Sequence, residues 1–350
     1  MRIALDCRIA HYTTGGTAVY ARRLAQALAP AAGDSLLLLE AARAATPLPA
    51  SGAVQRARLL TPSHHRLEQL TLPLELLPRR IDVLHSTDFI PPFVRRCRSV
   101  ITIHDLAFLR YPEFLTAESR RYFNGQIERA VRSTDRIIAV SQATRQDLIE
   151  LLGVAEHKID VVYEAPAFDA EPQPARSDED YILFAGTLEP RKNLPLLIRA
   201  FAGLRRRGYA GKLVLAGAVG WLAQPVFEEI ERQGLDQHVA LRALSPDLYQ
   251  GARLLALPSL YEGFGLPVLE AMACGTPVVT SNVSSLPEIA GDAALLVDPA
   301  DETALADAMW HILTNGALRN ELRSKGLARA AEFSWKRAAK ETLAVYHQLG

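Results

Sequence analysis

Short apolar runs rich in β-branched residues alternate along the chain with longer stretches whose apolar positions recur at helical spacing. In the first half, runs near Ile3–Leu5, Leu36–Leu39, Val83–His85, Val100–Ile103, Arg136–Val140 and Ile159–Val162 predict strands. The second half repeats the pattern at Tyr181–Ala185, Lys212–Ala216, Val239–Arg242, Leu254–Leu257, Pro277–Thr280 and Ala294–Val297. Runs this continuous suit strands buried on both faces, and helical segments between them suit parallel crossovers. The pattern therefore predicts an α/β chain with two doubly wound parallel sheets. In that architecture ligands bind beyond the carboxyl ends of the strands, here in a cleft between the two domains.

Between the two sets lies EAPAFDAEPQPARSDED, residues 164–180, whose proline, small residues and acid mark an exposed connection. The division that follows is a first domain over 1–165, a linker over 166–180 and a second domain over 181–334. A terminal helix over 335–350, with Leu343 and Tyr346 three apart, is expected to pack back on the first domain. No repeat beyond the doubled architecture is visible.

Composition agrees with this picture and narrows the partners. A chain of 350 residues exceeds what one core usually organises, and 49% hydrophobic with 22% charged residues is ordinary for a globular enzyme. Thirty-nine basic residues balance 39 acidic ones, so no global field draws the protein to nucleic acid or anionic lipid. The clusters Arg79-Arg80, Arg95-Arg96-Arg98 and Arg205-Arg206-Arg207 read first as solvated faces and second as points of peripheral membrane contact. Cys7, Cys97 and Cys274 are odd in number and lack metal-ligand spacing, which argues against disulfides and zinc. With neither a signal peptide nor a spanning segment read in the sequence, a cytoplasmic location is expected. Asp178-Glu179-Asp180 spells a metal-binding string of a different fold, but it lies in the linker and reads as solvated charge.

The richest chemistry lies in ALPSLYEGFGLPVLEAMACGTPVVTS. A strand ends near Leu257, Gly263 and Gly265 permit an unusual turn, Pro267 suits a first helical turn, and Gly275 suits the position after the helix. Exposed amides near Phe264–Leu266 would meet a phosphate at the helix amino terminus. Glu262 before the helix and Glu270 on it would repel that phosphate, so both are expected to accept hydrogen bonds from neutral hydroxyls; a helix cap with one surface glutamate is the plainer alternative. In ILFAGTLEPRKNLPLLIRAF, Gly186 turns the chain after a strand, and Arg191 and Lys192 stand before a helix, where adjacent cations can neutralise a diphosphate. Lys192 is one of only six lysines. Gly15 and Gly16 lie between the first strand and helix, where a glycine pair serves as a plain turn or offers amides to the same diphosphate. His104 and Asp105 end an apolar strand in ITIHDLAFLRYPEF, a position as compatible with structure as with chemistry.

The glutamate segment resembles the signature of the family 4 retaining glycosyltransferases, in which two glutamates with seven residues between them flank such a turn. The resemblance covers nearly the whole chain and implies the GT-B architecture of two Rossmann-like domains, with the nucleotide-sugar donor mainly in the second domain and the acceptor in the first. It implies that Glu262 contacts the donor sugar and Glu270 the ribose. Arg191 and Lys192 would stabilise the leaving diphosphate with no metal or other cofactor, and His104 would support the reacting sugar. Asp105 would orient that histidine or cap its loop. Thr187 follows Gly186 where many members carry arginine, leaving that charge to Arg191. Ser281, Asn282 and Glu288 would lie near the nucleotide, with Ser284 or Ser285 capping a short helix. The segments around His104 and Lys192 are similar to bacterial cell-surface polysaccharide mannosyltransferases, which implies GDP-mannose first, a UDP-hexose second, and a glycan or lipid-linked acceptor at the inner membrane face. A nucleotide-sugar epimerase and a non-catalytic nucleotide-sugar sensor are the rival readings.

Overall fold

Two parallel sheets carry the architecture of the computed structural model, which describes residues 1–50, 54–65, 67–114, 117–169 and 180–350. The first contains β1 (Arg2–Asp6), β2 (Ser35–Ala41), β3 (Gln55–Leu59), β4 (Val83–Ser86), β5 (Arg98–Ile103), β6 (Arg136–Ala139) and β7 (Ile159–Val161) in the order β3-β2-β1-β4-β5-β6-β7. The second contains β8 (Tyr181–Ala185), β9 (Lys212–Ala216), β10 (Val239–Arg242), β11 (Leu254–Leu257), β12 (Val278–Ser281) and β13 (Leu295–Val297) in the order β10-β9-β8-β11-β12-β13. Each order reverses direction once, between β1 and β4 and between β8 and β11, and these reversals are where open α/β sheets bind ligands.

The alternation of side chains along β1 shows how both sheet faces are buried. Ile3 and Leu5 join one core with Tyr20, Ala21 and Leu24, which the helix Gly16–Ala27 presents at three- and four-residue spacing. Ala4 points to the other face and joins Leu37, Leu39, Leu72 and Leu84. Full burial of a side chain such as Leu24 contributes about 2 kcal/mol, so such layers outweigh the weak strand propensity of individual residues.

The chain divides into two units, Met1–Ala167 with Ser334–Gly350, and Phe168–Phe333. The terminal helix Trp335–His347 is capped by the Ser334 hydroxyl, which accepts from the Arg337 amide. It belongs to the first unit through Ala338, Ala339, Val345 and Tyr346 in that unit's core, and Trp335 Nε1 donates to the Pro166 carbonyl at 2.9 Å.

Three features depart from the sequence reading. β3 was not anticipated, because QRARL has no apolar run; among the described residues it pairs only with β2, and it buries just Ala57 and Leu59, an edge strand's pattern. β12 and β13 begin one residue later than the apolar runs suggest, at Val278 and Leu295. Glu164 and Ala165 are buried, so the exposed connection begins beyond them. Residues 170–179, with Asp178 and Glu179, lie outside the described residues. Among those described, no helix is long and apolar enough to cross a membrane.

Candidate functional site

In the second unit the site straddles the reversal between β8 and β11. After β8 the backbone passes Gly186 at φ +142° and reaches the short turn Pro190–Lys192. Asn193, at φ +57°, closes that turn and anchors it by donating its side-chain amide to the Pro258 and Pro299 carbonyls. The turn is pressed against the next loop. A Cβ on Gly217, itself at φ +146°, would lie 2.1 Å from the Gly186 carbonyl oxygen, so only glycine fits there.

This loop delivers Arg191 and Lys192 to the carboxylate that follows β11. Lys192 Nζ lies 2.5 Å from Glu262 Oε1, and Arg191 Nη1 lies 2.9 Å from Glu262 Oε2. Arg191 Nε also pairs with Glu189 Oε1 at 2.6 Å, and the Ser259 hydroxyl donates to Glu262 Oε1 at 2.7 Å. Lys192, Glu189 and Glu262 are buried. Burial alone would raise the Glu262 pKa, but Lys192, Arg191 and the Ser259 hydrogen bond hold it at about 2. Burial and the neighbouring Arg191 push Lys192 below its ordinary value, against the pull of Glu262. Two cations and two carboxylates thus form a neutral, pre-positioned cluster.

The turn after Glu262 leads into the helix Leu266–Ala273 through Gly265 at φ +107°. Its end is the glycine-terminated motif read from sequence: Gly275, at φ +74°, donates to Met272 O, and Thr276 donates to Ala271 O. Gly263, Phe264 and Gly265 are buried and Leu266 half-buried, so the turn is not the exposed amide loop anticipated. The reason is local. Phe264 packs edge-on against Phe333, and the Ser285 hydroxyl donates to the Glu262 and Phe264 carbonyls at 2.9 and 2.7 Å. Ser285 therefore pins the turn and makes no side-chain cap to its own helix. The Ser284 hydroxyl accepts from the Glu262 amide at 2.9 Å.

Glu270 is buried eight residues on, accepting from the Tyr249 hydroxyl at 2.5 Å. Burial and the Glu270 charge raise the Tyr249 pKa well above its ordinary value, fixing the phenol as a donor. Tyr249 was not singled out in the sequence; a tyrosine in a short helix 21 residues away gives no local signal. Ser281, at the end of β12, has a buried hydroxyl with no hydrogen-bond partner among the described residues.

The first unit has its own polar site at the carboxyl ends of β1, β4 and β5. His104 follows β5, with Nδ1 2.9 Å from Glu164 Oε1 and Nε2 3.0 Å from the Thr87 carbonyl. Both partners are acceptors, an arrangement that favours the doubly protonated ring. Burial opposes the imidazolium, but Glu164, the Thr87 carbonyl and Asp88 raise its pKa above the ordinary value. Asp105 does not orient the ring; its carboxylate accepts from the Ala107 amide at 3.0 Å and caps the loop. Glu164 is the orienting residue, missed because its segment has a linker's composition.

A small recess adjoins this point, lined by Asp6, Arg8, His64, Glu68, Ser86 and Asp88 among others. Its cavity volume of about 20 Å³ has room for one water or one hydroxyl. Arg8 is spent inside it, bonded to Asp6 at 2.7 and 2.9 Å, Glu68 at 2.7 Å and the Thr61 carbonyl at 2.8 Å. His64, at φ +59°, pairs with Asp88 at 2.6 Å, while the Ser86 hydroxyl is buried without a partner among the described residues. Gly15 and Gly16 are exposed; Gly15 precedes the helix Gly16–Ala27, which has no side-chain cap.

Two Rossmann-like units with a paired-glutamate and Arg-Lys site define a class, and comparison with known proteins names it. The family model described as Glycosyltransferase Family 4 matches residues 14–165, and that described as Glycosyl transferases group 1 matches 167–329. The O-antigen chain mannosyltransferase B of Escherichia coli is 34% identical over 76% of this chain and 74% of its own. The serotype-specific mannosyltransferase WbdA of the same organism is 32% identical over 69% of this chain, which spans only 32% of that longer protein. Anabaena HepE in complex with UDP-glucose superimposes with a TM-score of 0.76 at 20% identity, covering 99% of both chains, a likeness of fold. The chain belongs to glycosyltransferase family 4 and is a glycosyltransferase with the GT-B fold.

Proposed function

We propose that this enzyme transfers mannose from GDP-mannose to a glycan or lipid-linked acceptor, with retention of configuration and without a metal. The observation that carries the reading is the neutral Arg191–Lys192–Glu189–Glu262 cluster at the sheet reversal. An arriving diphosphate competes with Glu262 for the two cations, whose charge then stabilises the leaving group in a dry site. Glu262, released from them, accepts hydrogen bonds from the sugar hydroxyls, and Glu270 exchanges its tyrosine partner for the ribose. Leu266, half-buried at the helix start, and the exposed Gly15 and Gly16 of the first unit offer the remaining diphosphate contacts, whereas Gly263, Phe264 and Gly265 are buried and the Gly186 amide is held by the Ala216 carbonyl. His104, a fixed imidazolium donor, supports the transferring sugar; the leaving diphosphate, not His104, takes the acceptor's proton.

Mannose is favoured because the curated relatives at 34% and 32% identity are mannosyltransferases. The UDP-glucose complex of a protein with the same fold supports a UDP-hexose as the second reading. In the first unit, the recess beside His104 suits one hydroxyl of a neutral sugar acceptor, because Arg8 is already neutralised by two carboxylates. The reaction is placed in the cytoplasm at the inner membrane face. A thermal-shift panel of nucleotide sugars with and without EDTA tests the donor: GDP-mannose should stabilise the protein most, equally in EDTA. Stabilisation only by UDP-sugars, or its loss in EDTA, would overturn that assignment.

A further inference from the structure

We infer that Trp335 is a positioning residue for His104. The chain leaves the first unit at Ala167 and returns to it at Ser334, so Trp335 follows the return directly. Its indole Nε1 donates to the Pro166 carbonyl at 2.9 Å, and Arg23 Nε, on the helix Gly16–Ala27, donates to the Ala167 carbonyl at 2.6 Å. These two donors hold the segment whose buried Glu164 Oε1 meets His104 Nδ1. The same indole lies edge-on to Tyr20 at 5.9 Å, and Tyr20 lies edge-on to the His104 ring at 4.9 Å. One side chain therefore reaches both the carboxylate that orients the imidazole and the ring that packs against it.

The far end of the same helix fixes the platform from which Trp335 acts. Trp335 and Tyr346 lie about three turns apart and so share one face. The Tyr346 hydroxyl meets His85 Nδ1 at 2.6 Å, His85 Nε2 meets the Thr102 hydroxyl at 2.8 Å, and that hydroxyl meets the Tyr20 hydroxyl at 2.9 Å. All four side chains are buried, and a buried network with its partners in place rigidifies what it joins. Thr102 stands two residues before His104, and His85 two before Thr87, whose carbonyl faces His104 Nε2 at 3.0 Å. The titratable groups facing His104 are Glu164, Asp88, His85 and Tyr20. Burial and the neighbouring His104 hold His85 at about 3, so it stays neutral. Of the four, Glu164 lies on the segment that the indole N–H holds, and loosening that segment weakens the carboxylate's hold on the imidazole.

Trp335→Phe in the full chain keeps an aromatic ring against Tyr20 and removes the N–H. The His104 titration, followed by imidazole NMR, should fall by about half a pH unit or more. The effect on rate rests on the reading of His104 as a support for the transferring sugar: kcat should fall about fivefold or more while KM for the nucleotide sugar stays within about twofold. Arg23→Gln, which releases the same segment from its other side, should shift the titration in the same direction and serves if Trp335→Phe is unstable. Leu343→Ala, at a half-buried position on the same helix that makes none of these hydrogen bonds, should leave both readouts in place. An unmoved titration in folded Trp335→Phe and Arg23→Gln would overturn the inference. So would an equal shift in Leu343→Ala, which would make the helix a general support for the core. A moved titration with unchanged kcat would uphold the positioning role and remove His104 from the reaction instead.

Discussion

Both ring nitrogens of His104 face acceptors, an arrangement that favours a hydrogen-bond donor over a general base. The strand end and the histidine were legible in ITIHDL, but its partner was not, because Glu164 lies 60 residues on and becomes adjacent only when β7 pairs with β6. The raised pKa makes His104 a source of stability below its ordinary value near 6.5, lost as pH rises through the higher folded value. Glu164→Gln removes the main influence that raises it and leaves burial in command. The His104 titration, followed by imidazole NMR, should move below 6.5 and kcat should fall by about tenfold or more. An unmoved titration would show that Glu164 does not set the charge on the ring. The same logic explains why Glu262 was read as a sugar ligand without its cations: the motif shows the carboxylate, but only the fold shows Lys192 against it.

Elements with a continuous apolar run or helical period were legible, and those without were not. β1, β5 and β8 declare themselves because both faces are buried, whereas β3, half charged at an edge, gives no periodic signal. The helix Trp335–His347 shows its period in sequence, but its neighbours are a matter of topology. Tyr346 meets His85 Nδ1 at 2.6 Å across 261 residues, and Trp335 lies edge-on to Tyr20 at 5.9 Å. Removing residues 334–350 strips a fully buried tyrosine and its companions from the first unit, at about 2 kcal/mol per large side chain. Calorimetry of the truncated chain should show the transition of the first unit lowered or lost while that of the second stays within a few degrees. Equal loss in both would refute this assignment of the helix.

At the scale of the whole molecule, the repeated strand pattern and the glutamate signature were enough to reach the α/β architecture and the family. Sequence could not join Arg191 and Lys192 to Glu262, seventy residues away, because that contact is created by β8 and β11 becoming neighbours at the sheet reversal. The recess in the first unit was hidden for the same reason: Asp6, Arg8, His64 and Asp88 converge at the reversal between β1 and β4. The central claim is that the Arg-Lys cluster, not a metal, drives retaining mannosyl transfer. Proton NMR of transfer from GDP-α-mannose to mannose-terminated oligosaccharides in EDTA tests it directly. An α-linked product is expected, with Lys192→Ala slowing its appearance by roughly 10²-fold or more; a β-linked product, activity abolished by EDTA, or an unimpaired Lys192→Ala enzyme would contradict it.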